Sequence, residues 1–222
     1  MTHSVSEADV SANFLQLPYL LRDKYQSLPG FNLFSVLRGN SDEVRLHSRF
    51  IAELLNPAGS HNMGNTFLRH FLKTLGIDNF DCQCECSVEK EWGNIDILIR
   101  NQHNQAIIIE NKIYAEDQEE QLFRYYRSIK SRQVTDDNIH LIYLTLDGKE
   151  PTTQSLGNIP KSFINSGNYQ LLSYAGRMQV WLKNCQKDAV NSPALRENIG
   201  QYIELIQNIT HTGQNERYMS AT

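Results

Sequence analysis

The amino-acid sequence predicts an α/β fold built around a central β-sheet that is covered on both of its faces. Helical patterns fill the first third of the chain, strand patterns the middle, and helical patterns the end. The two strongest strand candidates, "NIDILIR" and "AIIIENK", are apolar at almost every position. A sheet with one solvated face would alternate apolar and polar residues, so this continuity indicates cover on both sides.

Helices are predicted throughout the segment before the sheet. Pro18 stands near the first turn of a helix in "LPYLLRDKYQ", and a second short apolar helix is predicted in "FNLFSVLR". Ser41 and Asp42 can cap a helix through "EVRLHSRFIAELL", which ends at "NPAG". Gly76 closes the next helix. The apolar residues of that helix recur at helical spacing: Phe67, Leu68, Phe71, Leu72 and Leu75.

The middle of the chain supplies the strands and the end supplies further helices. Strands are predicted in "CQCECSVEKE", "NIDILIR", "QAIIIENK" and, after a helix, "NIHLIYLTL". A long polar loop, "DGKEPTTQSLGNIPKSFINSGN", is followed by a short strand or turn and two amphipathic helices. We expect one domain over residues 1–222, with a helical part (about 14–76), a β-rich core (about 80–147) and C-terminal helices (about 170–211).

Composition limits the class of protein. The chain has 222 residues, of which 40% are hydrophobic, and its net charge is −4. That charge argues against a basic protein that coats DNA regardless of sequence, but it permits an enzyme with a local basic groove. No apolar run approaches the ~20 residues of a membrane span, and the N-terminus has no secretory pattern. We expect no membrane partner and a cytoplasmic location.

The four cysteines do not predict a disulfide framework or a metal site. Cys82, Cys84 and Cys86 would alternate along a strand and point to one face, too far apart for easy bridging. An iron–sulfur cluster needs a turn that wraps its ligands around the metal, and Cys185 lies on a distant helix. No histidine spacing typical of zinc is present either.

Three charged residues interrupt the apolar strand candidates: Asp96 in the first, and Glu110 and Lys112 at the end of the second. If the connecting loop "NQHNQ" is centred on His103, Asp96 lies opposite Glu110 with Cβ atoms ~4.5–5.5 Å apart. Lys112 shares that face, whereas Asn111 points to the other. A shift of one residue would separate the charges. The same register gives two further pairs: Leu98 with Ile108 and Arg100 with Ala106.

Two carboxylates on one partly buried patch repel each other and lose hydration. Hard oxygen ligands suit Mg²⁺ or Mn²⁺, which keep several waters in their shells. A metal-held water beside a lysine is a nucleophile suited to a phosphodiester. The alternative is a cross-strand salt-bridge cluster without a metal, which would be costly in a sheet covered on both sides.

The segment "IDILI…IIIENK" resembles the core of the PD-(D/E)XK nuclease superfamily, with Asp96 as the first acid and Glu110-Asn111-Lys112 as E-x-K. "EVRLHSRFIAELLNPAGSHNMGNTFLRHFL" is similar to the leading helices of a bacterial branch of that superfamily. "AEDQEEQLFRYY" resembles the helix after E-x-K, and "IYLTLDGKEP", "SYAGRMQVWL" and "GQYIELIQNIT" match later elements in the same order. The resemblance covers roughly residues 41–210.

This resemblance implies a restriction-endonuclease-like core, a mixed sheet flanked by helices, that cuts nucleic acid with Mg²⁺ (or Mn²⁺). It implies that Asp96 and Glu110 bind the metal, that Glu43 completes the metal site from a helix, and that Lys112 is catalytic. Gln121 is the glutamine expected to touch the site. Three further residues are expected to contact substrate: His47, Gln118 and Arg124.

Plainer roles stay open for several of these residues. Glu43 could be a solvated helix acid, and Glu53, ten residues further, could share its helix face and replace it. His47 could be a packed histidine, and Arg124 part of a solvated basic face. Helical spacing puts both glutamines on the face that should pack on the sheet, where they could bond to sheet edges. The other members of that face are Leu122, Tyr125 and Ile129, with Tyr125 and Tyr126 expected to pack.

Three departures from the superfamily pattern bear on function. Ile95-Asp96 replaces the dipeptide "PD", and Asn94 stands where similar sequences often carry an arginine that contacts phosphate. The chain ends at "HTGQNERYMSAT", where many similar sequences continue into a further helical region, so target recognition could lie elsewhere or on a partner. The leading interpretation is a DNA endonuclease in defence or DNA processing, as a homodimer or with a partner subunit. The alternative is a binding or regulatory module that keeps the fold and does not cut.

Overall fold

The structure, a computed structural model, describes residues 31–211. The helix expected in "LPYLLRDKYQ" lies outside these residues. Contacts divide the chain between residues 33 and 34, and every strand of the described residues lies after that division. None of the helices within residues 31–211 is long and apolar enough to cross a membrane.

Five strands form a single sheet in the order β1-β2-β3-β4-β5. Neighbours from β1 to β3 are antiparallel, and neighbours from β3 to β5 are parallel, so the sheet is mixed. This confirms the expected restriction-endonuclease-like α/β core. The strands are β1 Cys86–Trp92, β2 Ile95–Asn101, β3 Ala106–Lys112, β4 Ile139–Thr145 and β5 Tyr169–Ser173.

Helices lie before, between and after the strands. Within residues 31–211, those before the sheet are α1 Leu33–Leu37, a π-helical turn Glu43–Ser48 that leads directly into α2 Arg49–Leu55, and α3 Thr66–Leu75. Those between strands are α4 Gln121–Lys130, α5 Thr153–Leu156 and α6 Lys161–Ile164. Those after the sheet are a π-helical turn Tyr174–Met178, α7 Gln179–Asp188 and α8 Pro193–Thr210.

The β2–β3 hairpin has the register that the sequence predicted. Leu98 pairs with Ile108 and Arg100 with Ala106. All seven residues of β3 are buried, because helices cover both faces of the sheet. Ile109 belongs to the core formed with α2, α3, α7 and α8, whereas its neighbour Ile108 belongs to the core formed with α4. Side chains that alternate along β3 therefore enter two different hydrophobic cores.

Local capping explains two predicted helix boundaries. Asp42 begins the π-helical turn because its Oδ1 accepts the backbone N–H of Arg45 at 2.8 Å. Gly76 ends α3 in the left-handed conformation, at φ 67°, and its N–H bonds to Leu72 O and Lys73 O. Both assignments were expected from the sequence.

Three local predictions were wrong. Residues 82–85 form an irregular loop and β1 begins only at Cys86, because β2 ends at its partner Asn101 and offers no ladder beyond it. The long polar loop contains α5 and α6, since Thr152 caps α5. Gln118 precedes α4, which begins at Gln121, so it does not share that helix face.

Candidate active site

The structure brings Asp96, Glu110 and Lys112 together on one face of the β2–β3 hairpin. The carboxylate of Asp96 accepts the backbone N–H of Asn111 through Oδ2 at 2.8 Å. Nζ of Lys112 lies 3.1 Å from Oε1 of Glu110 and donates to the carbonyl of Glu116 at 3.2 Å. Two acids and one ammonium therefore share a small patch at the end of β3.

Burial makes this patch electrostatically costly in the absence of a bound cation. Glu110 is 2% exposed and Lys112 6%. Loss of hydration, aided by the nearby charge of Asp96, raises the pKa of Glu110 to about 8. Burial likewise raises the pKa of Asp96 to about 6, although the Asn111 N–H and Lys112 act in the opposite direction. Both carboxyls take up protons more readily than exposed ones.

Gln121 holds the carboxylate of Glu110 in a fixed orientation. Its Nε2 donates to Glu110 Oε1 at 2.7 Å and lies 3.0 Å from the hydroxyl of Tyr125. Oε1 of Glu110 thus receives bonds from Gln121 and Lys112. Its Oε2 is buried and receives no hydrogen bond from any donor in the described residues. A protonated Glu110 can donate a hydrogen bond to Asp96, whereas with both acids ionised Oε2 has no donor and a cation would take that place.

Tyr125 is a structural partner of this patch that the sequence assigned only to packing. Its hydroxyl donates to the backbone carbonyl of Asn94 at 2.5 Å, next to the start of β2. Burial raises the pKa of Tyr125 to about 12, so the hydroxyl remains a neutral donor. The hydrogen bonds that run from Glu110 through Gln121 and Tyr125 to Asn94 connect α4 to both strands of the hairpin. The feature of the sequence that could have indicated this network is the i, i+4 spacing of Gln121 and Tyr125.

Glu43 lies beside the patch but is bonded to the chain that follows β3. Its Oε1 accepts backbone N–H groups from three successive residues: Ile113 at 2.6 Å, Tyr114 at 2.7 Å and Ala115 at 2.9 Å. Its negative charge makes a minor contribution to the raised pKa of Asp96. In the described residues, Glu43, Asp96 and Glu110 do not bring three ligand oxygens within 4.8 Å of one another. Only Oε2 of Glu43 is left to face a metal. Glu53, the alternative to Glu43, instead accepts hydrogen bonds from the backbone N–H and the hydroxyl of Ser60.

His47 is a packed histidine in the structure. It is fully buried, with Nδ1 2.9 Å from the Tyr202 hydroxyl and Nε2 2.8 Å from the Asn40 carbonyl. Burial lowers its pKa. Because both ring nitrogens already have partners, the geometry does not support the expected substrate contact.

Gln118 and Arg124 lie on the surface at the beginning of α4. A guanidinium nitrogen of Arg124 donates to Oε1 of Gln118 at 3.1 Å, and another donates to the Glu119 carbonyl. Both side chains are exposed. They form a local surface cluster, and the exposed guanidinium of Arg124 has further N–H groups that could bind a phosphate.

Two arginines that the sequence analysis did not single out line the open side of the patch. A cleft of about 610 Å³ opens at Asp96 between the π-helical turn and the hairpin. Arg45 and Arg49, spaced i, i+4, are exposed and form no ion pair with the described residues. They supply positive charge close to Asn94. The cleft is lined by Val44, Arg45, Arg49, Glu91, Asn94 and Asp96.

The donor set at the patch fits a hard divalent cation. Carboxylate oxygens of Asp96 and Glu110 meet on one face, and the partnerless Oε2 of Glu110 is already desolvated. Oxygen ligands of this kind suit Mg²⁺ or Mn²⁺, and a cation would offset the repulsion between the two acids. Lys112 offsets one carboxylate, so a further cation is needed for both acids to be ionised at neutral pH.

Comparison with known proteins gives one match. The family model of the PD-(D/E)XK nuclease superfamily matches residues 31–204, which is well over half of the chain. A search of the curated proteins and a search of the solved structures both found no match.

Proposed function

Because the chain belongs to the PD-(D/E)XK nuclease superfamily, we propose that it is a nuclease that hydrolyses phosphodiester bonds with Mg²⁺ or Mn²⁺. Members of this superfamily are in general phosphodiesterases that use divalent metals. We further propose that the substrate is DNA, cut internally, in defence or DNA processing in a bacterial cytoplasm. The catalytic residues proposed are Asp96, Glu110, Lys112, Gln121 and Glu43.

One observation carries this proposal. Glu110 presents a buried oxygen without a hydrogen-bond donor beside the Asp96 carboxylate and the Lys112 ammonium. Both acids can be ionised in this buried patch only if a cation offsets their charge, because an unpaired buried charge is costly. An unfilled acceptor on a desolvated diacid is the arrangement expected of a cation site.

The metal, when bound, supplies Lewis acidity and a more acidic water as nucleophile. Asp96 and Glu110 would bind it, and Glu43 would contribute only through Oε2 because its Oε1 is used by backbone N–H groups. Lys112, held by Glu110 and the Glu116 carbonyl, would place its ammonium against the negative charge that develops on the phosphoryl oxygens. Gln121 would keep Glu110 oriented.

The cleft beside Asp96 supports a polyanionic substrate. Arg45 and Arg49 are free to bind the phosphates on either side of the reacting one, and guanidinium groups bind phosphate through paired hydrogen bonds. Phosphate contacts position a nucleic acid without reading its sequence. Cutting both strands of a duplex requires two sites, which favours a homodimer or a partner subunit.

The test is a substrate panel: supercoiled plasmid, linear duplex DNA, single-stranded DNA and RNA, each with Mg²⁺, Mn²⁺ or a chelator. Asp96→Asn removes a charged ligand while keeping the shape of the side chain. Asp136→Asn is the matched control, because Asp136 pairs with Lys130 on the surface. We expect metal-dependent cleavage that Asp96→Asn abolishes and Asp136→Asn retains.

Failure would take two distinguishable forms. Metal binding without cleavage of any substrate would favour a chain that needs a partner to cut. If neither metal binding nor cleavage occurs, the patch is a structural ion cluster and the chain is a non-cleaving binding or regulatory module. Cleavage of RNA alone would retain the mechanism and overturn the choice of DNA.

A further inference from the structure

A second cluster of metal-ligating side chains lies at the opposite end of the hairpin. It joins the loop before β1 to the turn between β2 and β3. Nδ1 of His103 lies 3.2 Å from Oδ2 of Asp81. One ligand atom each from Asp81, Cys84 and His103 lies within 4.8 Å of the other two. We propose that these three residues bind a thiophilic divalent cation, with Zn²⁺ the best fit.

The types of ligand indicate which metal would bind. Thiolate and imidazole are soft or borderline ligands that suit Zn²⁺ and not Mg²⁺. Zinc bonds of about 2.0–2.3 Å in a tetrahedral site put ligand atoms about 3.3–3.8 Å apart. Side-chain rotations that bring the three atoms together by about an ångström would reach this geometry. A water would take the fourth position, as in zinc sites with three protein ligands.

The backbone that carries the ligands is already fixed. Asn101 Nδ2 donates to the Asp81 carbonyl at 2.9 Å, and the Asp81 N–H donates to Gln105 Oε1 at 2.8 Å. The loop and the turn are therefore joined by two hydrogen bonds that need no metal. The N–H of Gln83 binds Asp81 Oδ1 at 2.8 Å, which leaves Oδ2 facing His103. Little ordering is required when the cation binds.

This cluster is separate from the candidate active site. Asp96 lies near the beginning of β2 and His103 beyond its end, so the two are roughly 17 Å or more apart at the rise of an extended strand. The cation proposed here would hold the loop against the hairpin turn and take no part in phosphodiester hydrolysis. The cysteine segment was expected to be a strand with no metal, and its irregular path is what lets Cys84 approach His103.

The structure also provides a matched control. His70 Nε2 lies 2.6 Å from Asp188 Oδ2, so this surface pair has the same acid and imidazole as the proposed site. The pair has no third metal-ligating side chain: among the described residues, the group of three that could hold a metal contains neither His70 nor Asp188. A metal held by all three ligands should be sensitive to changes at His103 and Cys84 and insensitive to changes at His70.

The experiment is a Co²⁺ titration of the reduced, chelator-treated protein in excess Mg²⁺, followed by displacement with Zn²⁺. We expect one Co²⁺ per chain with a thiolate-to-cobalt charge-transfer band and visible bands of tetrahedral intensity, all lost on adding Zn²⁺. Cys84→Ser should remove the charge-transfer band, and His103→Ala should weaken binding at least tenfold. His70→Ala should bind like wild type. Because the band needs a thiolate, Co²⁺ at the carboxylate patch cannot produce it.

Two results would overturn the proposal. Absence of a charge-transfer band in wild type would show that Asp81 and His103 form only an ion pair next to a thiol. A band that persists in Cys84→Ser would assign the metal to another cysteine. Circular dichroism of each variant checks that the fold is intact, which is expected because His103 is largely exposed. Neither result depends on nuclease activity.

Discussion

Replacing Glu110 by glutamine should stabilise the metal-free protein while removing its response to Mg²⁺. Burial raises the pKa of Glu110 from 4.5 to about 8. Each pKa unit corresponds to about 1.4 kcal/mol, so keeping this carboxyl buried costs about 3 kcal/mol at pH 7 relative to a group that never ionises. A glutamine keeps an oxygen for Lys112 and Gln121 and offers an amide N–H toward Asp96.

The pH dependence has a definite sign. Below pH 4.5 the carboxyl is protonated in both states, and its contribution is constant. Between pH 4.5 and about 8 the unfolded chain ionises Glu110 while the folded protein keeps the proton, so the contribution of Glu110 to stability falls as pH rises. Above about pH 8 both states are ionised and the loss levels off. Because Asp96 and Glu110 interact, this titration belongs to the pair.

Urea unfolding of wild type and Glu110→Gln in chelator, from pH 5 to pH 8.5, measures the difference. We expect the variant to gain about 1–3 kcal/mol at pH 7, with the gain growing toward pH 8. Adding Mg²⁺ should stabilise only wild type, and more strongly at higher pH. Glu53→Gln is the control and should not stabilise, since hydrogen bonds from Ser60 lower the pKa of Glu53. A destabilised Glu110→Gln protein at pH 7 would refute the reasoning.

Three further predictions follow from other contacts. Glu43→Ala removes the charged acceptor of three backbone N–H groups. It should therefore lower the free energy of unfolding by about 2–3 kcal/mol and speed hydrogen exchange at residues 113–115. Unchanged exchange there would contradict this. Replacing Arg45 and Arg49 by alanine should reduce the slope of log affinity for duplex DNA against log salt concentration by about 1 per arginine. The measurement uses Ca²⁺ in place of Mg²⁺. An unchanged slope would show that the cleft does not bind DNA. His47→Ala should cost about 3 kcal/mol in urea unfolding at pH 8, and this cost should shrink below pH 6.5, because the unfolded wild-type histidine binds a proton that the buried one does not. A difference between wild type and variant that does not change with pH would argue against this burial.

The sheet and its charged patch were predictable because their sequence pattern is determined by two short-range rules. Continuous isoleucine indicated burial on both faces, and hairpin length with alternation placed Asp96 opposite Glu110. The triad then followed from a single register. The helix-borne Gln121 followed from helical periodicity, since α4 packs its apolar face on the sheet.

The features that could not be predicted from the sequence depend on contacts between distant segments. The second partner of His47 is Tyr202, 155 residues away, and no local pattern reveals that bond. The irregular path of residues 82–85 is set by side-chain bonds to the backbone around Asp81, which compete with strand pairing. The approach of Cys84 to His103 is a consequence of that path. Spacing rules for metal sites assume a regular element and therefore missed it.

The most direct test of the nuclease proposal is plasmid cleavage by Lys112→Met, compared with wild type and with Lys130→Met as control. Lys112 contacts Glu110 inside the patch, whereas Lys130 pairs with Asp136 on the surface. Lys112→Met should still bind Mn²⁺, counted by electron paramagnetic resonance, but should cut at least a hundredfold more slowly. Lys130→Met should cut at the wild-type rate. Equal cleavage by wild type and Lys112→Met would place the chemistry elsewhere and contradict the proposed site.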